Sequence, residues 1–526
     1  MAKSTTYRIE WDKYLVNTRL RTSRKNKVTA EDIKTNHESY DFRTDFDSDF
    51  GRVIFSSASR RMHDKTQVFP LSTDDNIHTR LTHSLEVMNI GANLGLDLCQ
   101  SEEYKELYGK EELIQMTWDI SGILRVASYI HDIGNPPFGH FGEESIQSYF
   151  KDLFETTIIE KYTHKIILGG KFELKNISEN YYNSFKRFIA SDEIFDFTEF
   201  DGNAEGFRIV TKLQYLNDLF GLNLTFASLG AYLKYPNTGR KIEKYIASHK
   251  HGVFYTEKDY LDIIANTCSC IDEKRSYESN KPIYKRHPLS FLVEAADSIC
   301  YLIMDIEDAV SKKYFTFKDL CGFIIGNQTL TDIIKDIKKK DKEGNNGVQS
   351  SDKKLLVDFR VKVISYLVDL AIKNFLKNHE AIDKGEYQDE LINIDKNMVV
   401  EDLKSITKKY IFPNRDIISL ELTGNSVISG IFDIYFNLVF NDNENLRKRA
   451  KLMISRAILE ANTREYVDEY NKDKAVDKKK QYFDINTFDI GDLPIEVRLR
   501  IIRDFVSGMT DKFALTHFKK ISGQQV

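Results

Sequence analysis

The sequence predicts a mainly α-helical protein with at most small β elements, and three observations support this class. Only 8 prolines occur among 526 residues, so long proline-free intervals are available for helices. In several intervals apolar residues recur about every four positions on one helix face, as at Leu81, Leu85, Met88, Ala92 and Leu96. Alternating patterns typical of strands are scarce.

Three long helices are predicted in chain order. The first carries the repeat just described, the second runs from Ile123 to Ile133, and the third runs from about Pro288 to Val310. Between the last two, residues 160–184 mix β-branched residues with Gly169 and Gly170. This mixture indicates an insertion or a small hairpin.

The length of the chain predicts more than one structural part, because a single hydrophobic core rarely grows this large. Lysine-rich polar stretches at residues 338–354 and 471–481 are typical of solvated linkers or loops. The predicted parts are an N-terminal arm with a first helix at 1–45, a core at 46–320, a charged linker or loop at 321–355 and a helical C-terminal lobe at 356–526.

Charge and composition exclude several classes of protein. A net charge of -5 excludes a chain that binds polyanions by bulk charge alone, so any anion site must be local. The 5 cysteines form no CxxC pair and are predicted to be reduced core thiols. No apolar targeting segment and no apolar run of about 18 residues occurs. We therefore expect a cytoplasmic protein without a membrane partner.

Two imidazoles and two carboxylates lie in apolar, helix-like surroundings: His83, His131, Asp132 and Asp297. Such a set suits a divalent ion such as Mn²⁺, Mg²⁺, Co²⁺, Ni²⁺ or Fe²⁺. The adjacent His131 and Asp132 cannot share one helix face, so the helix is expected to end there, before the Gly-Asn-Pro-Pro stretch at 134–137. Singly, these residues could be a core histidine, a capping pair and a salt-bridged aspartate. Together they favour a metal, because burying unpaired polar groups is costly.

His140 and Glu143 are a second candidate pair, at the start of a helix predicted after that stretch. At i,i+3 spacing the carboxylate can orient the imidazole and keep it protonated, as a general acid for a departing 5′-oxygen requires. The alternative is that Glu143 and Glu144 only favour a helix N-terminus through the helix dipole.

The H…HD…D pattern resembles the HD-domain superfamily of metal-dependent phosphohydrolases, and four longer stretches resemble its deoxyguanosine triphosphate triphosphohydrolase (dGTPase) family. They are SSASRRMHDKTQVFPLSTDDNIHTRLTHSLEV at 56–87, ASYIHDIGNPPFGHFGEESI at 127–146, FDGNAEGFRI at 200–209 and EAADSICYLIMDIEDAV at 294–310. The resemblance covers about residues 45–310 and implies an HD-domain helical core.

The resemblance also implies roles for single residues. It makes His83, His131, Asp132 and Asp297 the metal ligands, and His140 and Glu143 catalytic. The implied phosphate contacts are Arg80, Asn203, Lys234, Tyr235 and Lys250, and the implied sugar contacts are Gln67, Tyr301 and Asp305. Lys250 has a solvated surface charge as its alternative, and Tyr301 plain core packing. Asp201 and Glu205 depart from the family pattern.

The implied reaction is hydrolysis of a deoxynucleoside triphosphate, dGTP by preference, to deoxynucleoside and inorganic triphosphate. A metal-activated water would attack the α-phosphorus, with Mn²⁺, Mg²⁺ or Co²⁺ as cofactor. One alternative is an HD-type nucleotidase or phosphodiesterase acting on another nucleotide. The other is a regulator responsive to nucleotides or single-stranded DNA, which would have no need of the His140–Glu143 acid pair.

Partners are implied by the family alone. Relatives form homo-oligomers, commonly hexamers, and some respond to single-stranded DNA or to a dNTP at a second site. A basic run at Arg447, Lys448, Arg449 and Lys451 could serve DNA, although such a run is usually a solvated helix face.

Overall fold

A computed structural model describes most of the chain and confirms the mainly α-helical class. The described residues are 7–21, 43–69, 71, 77–160, 165–174, 179–214, 220–279, 281–344, 351–473 and 488–524. Most of the N-terminal arm predicted at 1–45 lies outside them, as do parts of the two lysine-rich stretches.

The first part of the chain contains thirteen α-helices and three strands among its described residues. The helices are α1 (Asp45–Ile54), α2 (Ser57–Arg61), α3 (Arg80–Gln100), α4 (Glu102–Leu107), α5 (Lys110–Ile130), α6 (Gly139–Glu155), α7 (Glu179–Ile189), α8 (Phe195–Thr198), α9 (Gly202–Arg208), α10 (Phe226–Tyr232), α11 (Lys258–Thr267), α12 (Glu273–Ser279) and α13 (Pro288–Ser311). The strands are β1 (Ile158–Glu160), β2 (Lys165–Leu168) and β3 (Phe172–Leu174).

Among the described residues after α13, all regular secondary structure is helical. These are α14 (Phe317–Phe323), α15 (Gln328–Gly344), α16 (Asp352–Asp383), α17 (Val399–Ile406), α18 (Arg415–Val439), α19 (Glu444–Met453), α20 (Arg456–Asp473), α21 (Ile495–Ser507) and α22 (Asp511–Ile521). Two π-helical turns, Ile209–Leu213 and Thr407–Ile411, extend α9 and α17.

The hairpin expected within residues 160–184 is present. Its three strands pair antiparallel in the order β1-β2-β3. Gly169 and Gly170 form the turn between β2 and β3 with φ of 59° and 63°, a region that glycine enters without steric cost.

Local signals set the ends of the helices that carry the predicted site. Thr79 and Thr82 form a reciprocal capping box at the start of α3. Helix α5 ends at Ile130, with His131 as its C-cap, so the predicted end of the helix at His131 and Asp132 is present. Helix α6 begins after Phe138, whose φ of 65° is left-handed.

Helices α3, α5 and α13 pack against one another and form the centre of the fold. A close approach between the first two requires a small residue, because a Cβ on Gly91 would lie 2.2 Å from Ser128 Oγ. Helix α16 packs on the outside of α13. Of the predicted metal ligands, His83 and Asp297 therefore sit on helices packed against each other, and His131 and Asp132 follow directly after α5.

Two hydrophobic clusters make up the core of the described residues. The first extends from Ile9 to Ile417 and contains α3, α5 and α13. The second combines residues between Phe138 and Phe254 with residues between Val427 and Ala514. Each cluster draws on both sides of residues 321–355, and the four domain boundaries stay a prediction. The five cysteines are unpaired, and four of them are buried.

Among the described helices, α18 alone is long and apolar enough to match a membrane span by length and composition. A core helix passes the same test. The inward face of α18, which includes Val427, Ile431 and Phe432, is buried in the second cluster. The helix packs against α6, α21 and α22, and 33% of its apolar window is buried.

Candidate active site

The four predicted metal ligands, which we call the metal set, come together from three helices. His83 lies on α3, His131 and Asp132 follow α5, and Asp297 lies on α13. His83 Nε2 is 3.2 Å from His131 Nε2 and 3.1 Å from Asp297 Oδ1. Asp132 Oδ2 is 3.5 Å from His131 Nε2 and 3.9 Å from His83 Nε2. The ligand atoms of His83, His131 and Asp132 thus lie within 4.8 Å of one another, and Asp297 Oδ1 lies beside both imidazoles.

The chemistry of the metal set fits a divalent cation. His131 Nδ1 donates to the Ser128 carbonyl at 2.7 Å, which leaves Nε2 as the nitrogen that faces the other ligands. Burial opposes ionisation of Asp132, but Arg80 and the two imidazoles hold the pKa of its carboxyl below the usual range. Burial likewise opposes charge on His131, yet Asp132 and Asp297 raise its pKa to about 9. The two carboxylates thus attract positive charge to His131, and a bound divalent cation would displace that proton and use the nitrogen as a donor.

Arg80 and Asn135 hold Asp132 in place. Arg80 Nη1 donates to Asp132 Oδ2, and Asn135 Nδ2 donates to Asp132 Oδ1 at 2.6 Å. The buried Lys65 donates from Nζ to the Asn135 carbonyl. Arg80 Nε is buried without a hydrogen-bond partner among the described residues. Arg80 thus orients a metal ligand and still has a donor to offer.

His140 and Glu143 form the expected pair in the first turn of α6. His140 Nδ1 lies 2.9 Å from Glu143 Oε2, and the charge of Glu143 together with this hydrogen bond raises the pKa of His140. The His140 side chain is 71% exposed, whereas that of Glu143 is 8% exposed. The imidazole of His140 is therefore exposed to solvent while a buried carboxylate, that of Glu143, holds its Nδ1.

Glu143 is itself fixed by the start of α9. Its Oε1 accepts a hydrogen bond from Gly202 N at 2.7 Å. A Cβ on Gly202 would lie 2.3 Å from Asn135 Oδ1 and 2.7 Å from Glu143 Oε1. Only glycine therefore fits between the acid pair and the metal set.

Asp201 joins two of the predicted phosphate contacts. Its Oδ1 accepts from the Asn203 side chain at 2.7 Å and from Asn203 N at 2.8 Å. Its Oδ2 is 3.4 Å from Lys250 Nζ. The charge of Asp201, opposed by burial, raises the pKa of Lys250. The structure thus brings Lys250 and Asn203 together at one end of α9.

Lys234 and Tyr235, which are also predicted phosphate contacts, lie beside the same end of α9. Lys234 Nζ is 3.2 Å from Glu294 Oε1 and 5.6 Å from the centre of the Tyr235 ring. Lys250 Nζ lies 5.9 Å from the same ring. Arg286 donates to Glu294 at 2.6 Å, so Glu294 is shared between two cations. Tyr235 therefore lies between two ammonium groups.

The predicted sugar contacts retain unused polar atoms. Tyr301 and Asp305 follow Asp297 by one and two turns along α13. Asp305 Oδ1 and Gln67 Oε1 are buried and have no hydrogen-bond partner in the described part of the chain. Burial and the neighbouring Asp308 raise the pKa of Asp305 to about 7. Buried acceptors of this kind are rare unless a ligand or water completes them.

Sequence reasoning missed several residues that hold the site together. Asn135 belongs to the Gly-Asn-Pro-Pro stretch, which predicts only the end of a helix. Lys65, Arg286 and Glu294 contact site residues that are distant or unmarked in the sequence. No local pattern announces them.

Comparisons with known proteins agree with this geometry. Residues 80–167 match the HD domain family, which implies dependence on a divalent metal ion. A deoxyguanosinetriphosphate triphosphohydrolase-like protein of Listeria innocua is 31% identical over 527 residues, covering 98% of this chain and 100% of the relative.

Two further relatives are named deoxyguanosinetriphosphate triphosphohydrolase. The one from Klebsiella pneumoniae is 31% identical and covers 90% of this chain and 93% of its own length. The one from Salmonella typhimurium is 29% identical and covers 94% of this chain and 96% of its own length. Since the similarity extends over nearly the whole chain, the protein belongs to the deoxyguanosinetriphosphate triphosphohydrolase family of HD-domain hydrolases.

Proposed function

We propose that the protein hydrolyses deoxynucleoside triphosphates, dGTP above the others, to deoxynucleoside and inorganic triphosphate. The observation that carries this proposal is that Arg80 lies next to both the metal set and the start of the helix that carries the acid pair. Arg80 donates to Asp132. Its Nη2 also lies close to Gly139, the residue before His140, because a Cβ built on Gly139 would be only 2.8 Å from it. The names of the Klebsiella and Salmonella relatives support dGTP as the substrate.

The metal set would hold a divalent cation, which we propose to be Mn²⁺, Mg²⁺ or Co²⁺. When bound, such an ion acidifies water and polarises phosphoryl oxygens. His83, His131, Asp132 and Asp297 supply two nitrogen and two oxygen donors. The rigid helices α3 and α13 carry two of the four, so the set is largely preorganised.

The remaining residues bind the triphosphate and supply a proton. Arg80 would contact the α-phosphate, while Asn203, Lys234 and Lys250 would contact the other phosphates. As water attacks the α-phosphorus, the bond to the 5′-oxygen breaks and this oxygen needs a proton. His140 would donate it from Nε2, because Glu143 holds Nδ1 and raises the pKa of the imidazole.

The sugar would lie along the face of α13 that carries Asp297, Tyr301 and Asp305. Tyr301 would pack against the deoxyribose and leave no room for a 2′-hydroxyl, which rejects ribonucleotides by steric exclusion. The 3′-hydroxyl would bond with Asp305 and Gln67, whose unused buried oxygens support this placement.

We also propose a homo-oligomer, a hexamer by family resemblance, and regulation by single-stranded DNA or a dNTP. Phe55 and Trp118 are 82% and 67% exposed, and large exposed apolar side chains are common at subunit contacts. Light scattering during size-exclusion chromatography tests the assembly. Adding oligodeoxynucleotide or each dNTP to the dGTP assay tests regulation.

The function is tested by incubating the purified protein with each of the four dNTPs, and with GTP, in Mg²⁺ or Mn²⁺. The expected products from dGTP are deoxyguanosine and tripolyphosphate, with the ribonucleotide left intact. Stepwise release of orthophosphate would instead indicate a nucleotidase. His140→Ala is expected to lower kcat by about 10²- to 10⁴-fold while metal content is retained, since a general acid is removed but no ligand.

A further inference from the structure

The buried Asp511, at the start of α22, connects two distant loops. It is 2% exposed. Its Oδ2 accepts from Thr66 N at 3.1 Å and from Thr66 Oγ1 at 2.5 Å. Its Oδ1 accepts from Phe138 N at 2.9 Å. One carboxylate therefore receives three hydrogen bonds from residues 445 and 373 positions away in the chain.

Both loops lead directly to site residues. Thr66 lies between Lys65, which donates to the Asn135 carbonyl, and Gln67, whose buried Oε1 has no hydrogen-bond partner among the described residues. Phe138 precedes Gly139 and His140. Its left-handed φ of 65° is unfavourable for a bulky side chain, so its backbone needs external restraint.

The carboxylate is held by a docked helix. Tyr435 of α18 bonds to His517 Nε2 at 2.9 Å, and Ala514 is fully buried in the second cluster. Thr510 caps the start of α22 by accepting from Phe513 N. Asp511 is therefore held by a helix whose docking includes contacts outside the two loops that it binds.

We propose that Asp511 is a positioning residue for the hydrolytic reaction, an inference that rests on the proposed function. Its two oxygens set the spacing between the Gln67 loop and the His140 loop. Hydrogen bonds to an ionised acceptor are stronger than those between neutral groups, so one side chain can restrain both loops. Asparagine at this position has the same shape but offers one acceptor oxygen, so one loop would face an amide donor and be released.

The test compares Asp511→Asn with Tyr435→Phe, a control that removes one hydrogen bond from the docking of the same helix. Metal-loaded protein is assayed with dGTP at a temperature well below the melting temperature of both variants. Asp511→Asn is expected to lower kcat/KM by about 10- to 100-fold, because small misplacements of catalytic groups are costly. Tyr435→Phe is expected to keep kcat and KM within about twofold at a similar melting temperature.

A third variant separates the two loops. Thr66→Val removes one of the two donors from the Gln67 loop and leaves the Phe138 bond intact. It is expected to raise KM several-fold with kcat nearly unchanged, whereas Asp511→Asn should also lower kcat. A purely structural role of Asp511 would not produce this split.

Amide hydrogen exchange gives a readout that does not depend on activity. Peptides covering residues 65–67 and 137–140 should exchange faster in Asp511→Asn than in Tyr435→Phe. If Asp511→Asn has parental exchange in both peptides, the inference is wrong, whatever the substrate. If the parent protein releases no triphosphate but exchange changes as expected, the proposed function and the catalytic part of the inference fail, and only the restraint of both loops by Asp511 stands. Parental kinetics in Asp511→Asn beside an active parent would also overturn the role in catalysis.

Discussion

Two buried groups of charged residues in this molecule differ in how completely their polar atoms are paired. The first is the candidate active site, which combines the metal set with Arg80, Gln67 and Asp305. The second group, which we call the structural ion network, lies where α9 meets α20 and α21. It consists of Arg208, Glu257, Asn462, Arg503 and Asp504.

In the structural ion network the guanidinium groups and Asp504 have several partners each. Arg208 donates to Asp504 at 2.9 Å and 3.0 Å, to Glu257 at 2.6 Å and to Asn462 at 3.0 Å. Arg503 donates to the other oxygen of Asp504 at 2.7 Å. Such a network stabilises a fold and has little capacity left for a ligand.

The active site shows the opposite pattern. Arg80 Nε, Gln67 Oε1 and Asp305 Oδ1 are all buried and lack hydrogen-bond partners among the described residues. Unpaired buried polar atoms cost stability, so a ligand that bonded to these three atoms would lower that cost. The structural ion network differs in degree: both oxygens of Asp504 are paired, and within the network Glu257 Oε2 is buried without a hydrogen-bond partner among the described residues.

The largest expected effect is the loss of a metal ligand. Asp297→Ala removes one of two anions from the metal set, so we expect metal content to fall and kcat/KM for dGTP to drop by at least about 10³-fold. Elemental analysis and product release measure the two effects. Parental metal content and activity would show that Asp297 is not a ligand.

Breaking the structural ion network should affect stability instead. Burial opposes ionisation of Asp504, but Arg208 and Arg503 lower its pKa to about 2. Asp504→Asn is expected to lower the free energy of unfolding at pH 7 by about 3 kcal/mol.

The sign follows from the lowered pKa. The contribution of Asp504 is present above the unfolded pKa of about 3.9 and is lost as the pH falls towards 2. Urea unfolding at pH 7 measures the effect. Glu444→Gln, which breaks an exposed pair with Lys448, is the control and should cost less than about 1 kcal/mol. Equal losses of unfolding free energy in both variants would contradict the stabilising role of the buried network.

The pH dependence of kcat tests the acid pair. Because Glu143 raises the pKa of His140, the imidazole stays protonated to higher pH, and kcat should fall only as the pH rises through that pKa. Glu143→Gln removes the charge, so the alkaline limb should move to lower pH. A pH profile of kcat at saturating dGTP measures the shift. An unmoved alkaline limb would mean that another group supplies the proton.

The smallest expected effect concerns Glu205, which lies on α9 beside the structural ion network. Both of its carboxylate oxygens are buried without a hydrogen-bond partner in the described part of the chain. Burial and the charge of Asp504 raise its pKa to about 7. The folded state therefore holds this proton more tightly than the unfolded state does, and stability falls as the pH rises from about 4.3 to 7.

Glu205→Gln removes this penalty. We expect a gain of about 1 to 3 kcal/mol in the free energy of unfolding at pH 8 and little gain at pH 5. Thermal unfolding at both pH values measures it. A gain that is the same at both values would show that titration of Glu205 is not its cause.

Much of the site could be predicted from the sequence because its residues lie in long, specific stretches on helices. His83 and Asp297 occupy helices whose apolar periodicity is visible, and His131 and Asp132 precede a Pro-Pro stop. The helix end at Ile130 and the hairpin turn at Gly169 and Gly170 followed from local backbone rules.

The contacts that hold the site in place could not be predicted in this way. Lys65 reaches Asn135 across 70 residues, and Asp511 reaches Thr66 across 445. Neither contact leaves a periodic or local mark, because tertiary packing alone brings these residues together. The pairing of Asp201 with Lys250 could not be predicted for the same reason, although Asp201 departs from the family pattern in the sequence.

The long reach of Asp511 has a consequence for how the enzyme matures on the ribosome. All four members of the metal set are synthesised by residue 297, more than two hundred residues before the carboxylate that ties Thr66 to Phe138. A nascent chain therefore possesses its full complement of metal ligands while the loops bearing Gln67 and His140 still lack their common anchor. On the proposed role of Asp511, ion capture and catalytic competence would be separate events in time.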